Sequence, residues 1–359
     1  MHKLLFVLFF WSVSLPSLAS DDVPGFQPRI IGGIESTSGE LPWQAYINMT
    51  FRVNNDERTF ICGGVVISPD VIITAAHCMR NGSTTVAPDD VMVWAGITSI
   101  FSANRASSVA VREIVIHPAY NLSRFANDIA ILKLSGPLPN SALPIMLASS
   151  RDQERVDLAF ANGWVDNGER VANLLVSGWG TTQLNESNSG ATRLRQTLLS
   201  GMPDSRCDSL WGGNIRQGDH AIFLCAGSVS PDLARDSCFG DSGGPLVWQD
   251  PQSVGDRDFG LRLVGLVSFG EGCAGRLPGV YTEVAHYRSW IESEVGGGVL
   301  TQPAPDFTIN PFVSDYTGAG EDVIVIPPGS DRSGGLSMGW GGLFTLVLLG
   351  IIRKRLNGE

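Results

Sequence analysis

The sequence predicts an all-β fold, a barrel or a sandwich, and three observations carry that prediction. Short β-branched runs follow one another at close spacing from about residue 30 to residue 295. Gly, Asn, Asp and Pro turns separate them, and a helical period shows at one place only. The composition agrees, since 42 glycines in 359 residues and 17% charged side chains describe a loop-rich protein rather than a helical bundle. The formal net charge of -11, with no basic stripe interleaved with aromatics, gives no electrostatic reason to expect a nucleic-acid partner.

In chain order, Lys3, the apolar run Leu4 to Leu15 and the small residues Ser17-Leu18-Ala19 read as a signal peptide over residues 1–19. The run is too short to cross a membrane, and its destination is an oxidising compartment where disulfides persist. A polar segment, residues 20–29, ends at Pro28-Arg29 and is followed by Ile30-Ile31-Gly32-Gly33. Strands are expected at Gly64 to Ile67, Val71 to Thr74, Val91 to Trp94, Asp128 to Leu134 and Leu261 to Phe269, and a helix at Ala285 to Glu294. Residues 296–335, opened by Gly296-Gly297-Gly298 and rich in Pro, Asp, Ser and Gly, read as a flexible linker, with Val323 to Ile326 as its one strand-like patch. Residues 336–355 begin with seventeen uncharged residues, Leu336 to Ile352, and close on Arg353-Lys354-Arg355. That pattern reads as a membrane-spanning helix with its basic end in the cytoplasm.

The chemistry concentrates in Gly240-Asp241-Ser242-Gly243-Gly244-Pro245. A serine between glycines on a tight loop projects its hydroxyl while neighbouring backbone N–H groups point at one spot, where they stabilise an oxyanion. Serine is a weak nucleophile and needs a base within hydrogen-bond reach. Of the five histidines, His2 lies in the signal peptide, His117 precedes Pro118 in a loop, and His220 and His286 carry no local signal. His77, in Thr74-Ala75-Ala76-His77-Cys78, follows an apolar strand and stands beside a half-cystine, so it is the candidate base. Asp128 enters the apolar run Ile129-Ala130-Ile131-Leu132; a buried acid is costly without a partner, and it is the candidate to orient His77. Cys62, Cys78, Cys207, Cys225, Cys238 and Cys273, an even number, suggest three bridges with fifteen conceivable pairings, and the absence of a CxxC pair speaks against zinc.

Ile30 to Gly33, Thr74 to Cys78, Asn127 to Leu134, Gly178-Trp179-Gly180 and Asp236 to Pro245 together, in this order, resemble the chymotrypsin family over residues 30–295. The resemblance implies two perpendicular six-stranded antiparallel β-barrels with the site in the cleft between them and a C-terminal helix. It implies a serine endopeptidase with the catalytic residues His77, Asp128 and Ser242, and an oxyanion hole made by the N–H groups of Gly240 and Ser242. It implies the bridges Cys62–Cys78, Cys207–Cys225 and Cys238–Cys273. Residues 20–29 become an activation propeptide: cleavage after Arg29 frees the amine of Ile30, which pairs with Asp241. Asp236 at the base of the primary pocket, with Ser268, Gly270 and Gly279 around it, implies protein or peptide substrates with Arg or Lys. The activator is another protease or the enzyme itself. Phe269, Phe239, Phe125 and Trp211 depart from the trypsin pattern near the neighbouring subsites. No cofactor or metal is expected: Ala95-Gly96-Ile97-Thr98 replaces an acidic calcium loop, and Pro278 disfavours sodium.

Ser333-Gly334-Gly335, the apolar helix and the basic end resemble the Gly-Gly C-terminal sorting signal of Gram-negative exported proteins, removed by a rhomboid-like protease. The expected location is therefore secreted or on a bacterial surface, with a single-span membrane anchor as the alternative. Two other readings compete. A protease-like adhesion module without catalysis is disfavoured by the complete set of catalytic residues, and a tethered structural protein is supported by the tail alone.

Overall fold

Runs such as Val71-Ile72-Ile73-Thr74 are apolar or buried throughout, and the computed structural model gives the reason: both faces of these strands are covered. It describes residues 33–53, 56–166, 170–181, 190–215, 217–227, 235–271, 277–296, 298–299 and 301–317. One sheet is a closed barrel of β2 (Gln44–Val53), β3 (Asp56–Ser68), β4 (Val71–Thr74), β7 (Val91–Ala95), β8 (Val109–Ile116) and β9 (Ala130–Leu134), paired in the order β2-β3-β4-β9-β8-β7. The hairpin β5 (Arg80–Asn81) and β6 (Thr84–Thr85) stands apart from it. Alternate side chains go to two cores. Val66, Ile72 and Leu132 point into a cluster with Ile47 and Met49, inside the barrel. Val65, Ile67, Ile73 and Ile131 instead join Leu175, Val247 and Leu263 of the other sheet.

That other sheet comprises β1 (Ile34–Glu35), β10 (Met146–Leu147), β11 (Leu174–Gly178), β12 (Arg195–Leu199), β13 (Gly201–Met202), β14 (Phe223–Ala226), β15 (Pro245–Gln249), β16 (Leu261–Phe269) and β17 (Gly279–Glu283). Its path is β1-β12-β11-β15-β16-β17-β14-β13, with β10 added in parallel on β16. It is a half-barrel rather than the second closed barrel that the resemblance implies. The terminal strands β1 and β13 have two residues each, too little ladder to close the ring.

The helix expected at 285–294 is a 3-10 turn, Val284–Tyr287, running into α3 (Arg288–Val295). Two further helices have no strong apolar period. In α1 (Ser150–Gly163) the buried face mixes Val156 and Phe160 with Asp152 and Gln153, and a capping box starts it: Ser149 Oγ accepts from Asp152 N while Asp152 accepts from Ser149 N at 2.7 Å. The eight-residue α2 (Asp204–Trp211) buries Cys207, whose bridge to Cys225 ties it to β14.

Residues 301–317 correct the expectation of a flexible linker. This segment is docked on the domain. Phe307 is buried with its ring 4.9 Å from that of Trp43, Gln302 Nε2 donates to Ile67 O at 2.8 Å, Gln249 Nε2 donates to Asn310 Oδ1 at 3.2 Å, and Ser314 Oγ donates to the buried Glu40 at 2.5 Å. Composition alone reads Pro, Asp and Ser as linker, whereas two aromatic anchors, Phe307 and Phe312, are enough to hold it down. Phe307→Ala is expected to lower stability by about 3 kcal/mol, as for other buried phenylalanines, read as a shift in the urea unfolding midpoint. An unchanged midpoint would mean the segment is not part of the folded unit.

Candidate active site

β4 ends at Thr74, and the chain turns at once into Ala76–Met79, the single 3-10 turn that carries His77. The Cys62–Cys78 bridge staples this turn to β3. β9 lies beside β4 with Ala130 opposite Thr74, so Asp128, two residues before β9's first position, arrives beside His77. The Asp128 side chain is fully buried. Its Oδ1 accepts the His77 backbone N–H at 2.8 Å. Its Oδ2 lies 2.7 Å from His77 Nδ1 and accepts Ser268 Oγ–H at 2.5 Å. An oxygen already held as an acceptor places the proton on Nδ1, which leaves the Nε2 lone pair of the neutral ring free to accept another. Thr282 Oγ1 holds the Asp128 carbonyl at 2.9 Å, a support that sequence reading missed because β17 lies 154 residues away.

The Ser242 loop backs directly onto β3 and β4. Gly63 N donates to Ser242 O at 2.8 Å, and Gly243 N donates to Val267 O at 2.8 Å beside Ser268. A Cβ on Gly63 would sit 2.8 Å from Gly244 Cα, and one on Gly243 would sit 2.7 Å from Ala75 N, so this backbone-to-backbone approach requires glycine. Ser242, half-buried, is thereby held against the strand end that leads to His77. Among the described residues Ser242 Oγ and the His77 ring share no hydrogen bond, a contact that in unliganded sites commonly closes when substrate arrives. The N–H groups of Asp241, Gly243 and Gly244 all donate within the protein. Those of Gly240 and Ser242 have no acceptor in the hydrogen bonding described, and Gly240 adopts φ 100°, a backbone conformation natural to glycine.

Asp241 is fully buried and accepts from Gly180 N at 2.7 Å and from Cys238 N at 2.8 Å. Burial pushes its carboxyl up to about 6, against the lowering by these two donors. It also explains Gly178-Trp179-Gly180: a Cβ on Gly178 would lie 2.1 Å from one carboxylate oxygen, and one on Gly180 would lie 2.5 Å from the other. Arg29 and Ile30, the remaining activation residues, lie outside the described residues.

Asp236 is 5% exposed. The Cβ that a larger residue would bring at Gly279 comes 3.2 Å from Asp236 Oδ1, so Gly279 leaves the carboxylate room to receive a side chain. Tyr281 Oη and Ser237 Oγ, 3.2 Å apart, adjoin it, and burial with the nearby Asp236 raises the Tyr281 hydroxyl far above its usual range. Ser268 is buried in β16, whose end leads to exposed Gly270. Phe239 is exposed at the loop leading to Gly240.

The other described histidines are engaged elsewhere. His220 pairs with Asp208 at 2.9 Å, His117 packs on Tyr287 and Trp290, and His286 packs on Tyr287. The bridges Cys62–Cys78 and Cys207–Cys225 are present. The third expected bridge joins Cys238 to Cys273, which lies outside the described residues, as do the signal peptide, the propeptide and the 336–355 helix. Among the described residues no helix is long and apolar enough to cross a membrane.

Comparison with known proteins shows the family. The trypsin family model matches residues 30–291. Trypsin delta of Drosophila melanogaster is 34% identical over 277 residues, 76% of this chain and 90% of its own length. Trypsin alpha of Drosophila erecta is 34% identical over 275 residues, 76% of this chain and 89% of its own. The suppressor of tumorigenicity 14 protein homolog of Bos taurus is 32% identical over 278 residues, 75% of this chain but only 28% of the cow protein. These relatives are animal proteins, and they lend no support to a bacterial sorting tail or a Gram-negative origin. With the trypsin model covering most of its length and the fly trypsins aligned over three quarters of it, the chain belongs to the trypsin family of serine endopeptidases.

Proposed function

We propose that this endopeptidase is secreted, cleaves after Arg or Lys through an acyl-enzyme on Ser242, and is held inactive until cleavage after Arg29. The observation that carries the mechanism is the buried Asp128 carboxylate meeting both His77 Nδ1 and Ser268 Oγ. Ser242 Oγ adds to the substrate carbonyl carbon as its proton passes to His77 Nε2. Asp128 stabilises the imidazolium that forms, and the N–H groups of Gly240 and Ser242 receive the oxyanion. His77 returns the proton to the departing amine as the C–N bond breaks. Water repeats the sequence on the ester.

The preference for Arg or Lys rests on Asp236. A buried carboxylate rewards a cation that replaces the water it has lost, and Gly279 leaves space for a long side chain. The test pairs an arginyl amide with a matched phenylalanyl amide on the processed protein. Asp236→Ser is expected to cut kcat/KM on the arginyl substrate by roughly 10²- to 10³-fold, the scale of leaving one partner of a buried ion pair without the other, while the aromatic substrate changes little. Equal rates on both substrates before mutation would remove the specificity reading and leave the chemistry standing. Export is supported by the Lys3 to Ala19 pattern and by the two bridges. For the apolar segment at 336–355, fractionating a chain tagged at each end separates a retained anchor from a removed signal.

A further inference from the structure

Phe125 holds φ 52° and Asn127 holds φ 56°. A left-handed backbone at a bulky residue is costly and persists only where its surroundings hold it. One end of this turn is tied locally and the other to Tyr287, 160 residues away in the chain. Asn121 Oδ1 accepts from Ser123 N at 3.0 Å and Arg124 N at 3.2 Å, and Asn127 Oδ1 accepts from Tyr287 Oη at 3.1 Å. Its middle is tied across the molecule. Arg124 Nη2 donates to both oxygens of Asp219, at 2.9 and 2.8 Å. Arg124 sits on the turn before β9 of the barrel, and Asp219 ends the 3-10 turn Gln217–Asp219 that leads into β14 of the half-barrel. The Asp219 side chain is 11% exposed and that of Arg124 42%, so water and salt only partly screen the pair.

Phe125, next to Arg124 in the chain, belongs to an aromatic wall. Phe125 stands edge-on to the His77 ring at 5.6 Å and tilted on Phe269 at 5.4 Å. Phe269 in turn meets Trp211 at 5.5 Å and Phe223 at 5.4 Å. The wall crosses from barrel to half-barrel, and among the described residues Phe125 is its member from the barrel side. It adjoins β16, the strand of Ser268 and Phe269.

We propose that Arg124 is a positioning residue. Its ion pair with Asp219 clamps the 121–127 turn across the cleft, and thereby fixes Phe125 as the part of the wall that receives the apolar side chains preceding the scissile bond. This rests on the protease reading above. The clamp pre-organises a binding surface and makes no contact with the reacting atoms, so it acts on substrate affinity rather than on the chemical step.

The test uses the processed full chain, a tetrapeptide arginyl amide with apolar residues before Arg, and a simple acyl-arginine ester with none. Arg124→Ala is expected to raise KM for the tetrapeptide about 5- to 10-fold, the scale of one part-buried ion pair, with kcat within about twofold. The short ester should be unaffected, Arg124→Lys should recover part of the loss, and Asp219→Asn should match Arg124→Ala without adding to it. The proposal is overturned by an unchanged tetrapeptide KM, by an equal loss on the short ester, or by additive effects of the two substitutions. A second measurement does not depend on catalysis: calorimetric binding of a tetrapeptide ending in Arg to Ser242→Ala, with and without Arg124→Ala. A chain that cleaves neither substrate sinks the protease reading, while the binding comparison still decides for or against the clamp.

Discussion

Ser242→Ala lowers kcat of the processed enzyme by roughly 10⁴- to 10⁶-fold, and Asp128→Asn lowers it by about 10⁴-fold, if the three side chains act as one unit. The first loss follows from removing the attacking oxygen. The second follows from hydrogen bonding. Asp128 Oδ2 faces two donors, His77 Nδ1–H and Ser268 Oγ–H, and Oδ1 faces a third, the His77 backbone N–H. An amide in that place sets its NH₂ against a donor in either orientation, so the imidazole is driven to the tautomer with its proton on Nε2, where it cannot accept from Ser242. The double variant should be no slower than Ser242→Ala alone, because the unit is already broken. Single-turnover kinetics on an arginyl ester read both effects. A Ser242→Ala protein that retains full hydrolysis would end the acyl-enzyme reading.

The second large effect is expected at Asp241. Its folded pKa of about 6 lies above the usual carboxylate value because the side chain is wholly buried. The sign follows. The folded chain holds a proton that the unfolded chain gives up near pH 4, so the associated stability is present below pH 4 and is lost as pH rises through 6. The loss is about 3 kcal/mol for a shift of this size. Above pH 6 the buried carboxylate is ionised, satisfied by two N–H donors but without a cation among the described residues. Under the proposed activation, the amine released by cleavage after Arg29 is the cation that offsets it. Urea unfolding of Ser242→Ala protein, uncleaved and processed, should therefore show stability falling between pH 4 and 7 in the uncleaved form and a flatter profile in the processed one. Asp241→Asn should lower the activity of the processed enzyme by roughly 100-fold or more, the scale of breaking one half of a buried pair. Parallel pH profiles for the two forms would rule out this account of activation.

His77, Asp128 and Ser242 stand out in the sequence as candidates because each sits in a local setting that the proposed chemistry requires. A serine between glycines, a histidine next to a half-cystine at a strand end, and an acid entering an apolar run are all visible within a few residues. Asp241 and Gly178-Trp179-Gly180 were legible as motifs, yet their connection was not. Only the fold shows that these two glycines make room for the Asp241 carboxylate. Thr282, which supports Asp128, left no signal, since a threonine in a β-rich strand is ordinary.

By itself, the sequence determined the all-β class and the reactive residue types, because burial on both strand faces and the demands of nucleophilic chemistry restrict composition locally; the family was read from the resemblance of its ordered motifs. Only the tertiary structure decided that the second sheet stays open, that residues 301–317 dock through Phe307, that α1 and α2 form on mixed or minimal buried faces, and that Arg124 reaches Asp219. Each of these depends on a partner tens to hundreds of residues away. Pairings of that range are set by register, loop path and the space left between sheets, none of which a local stretch of chain encodes.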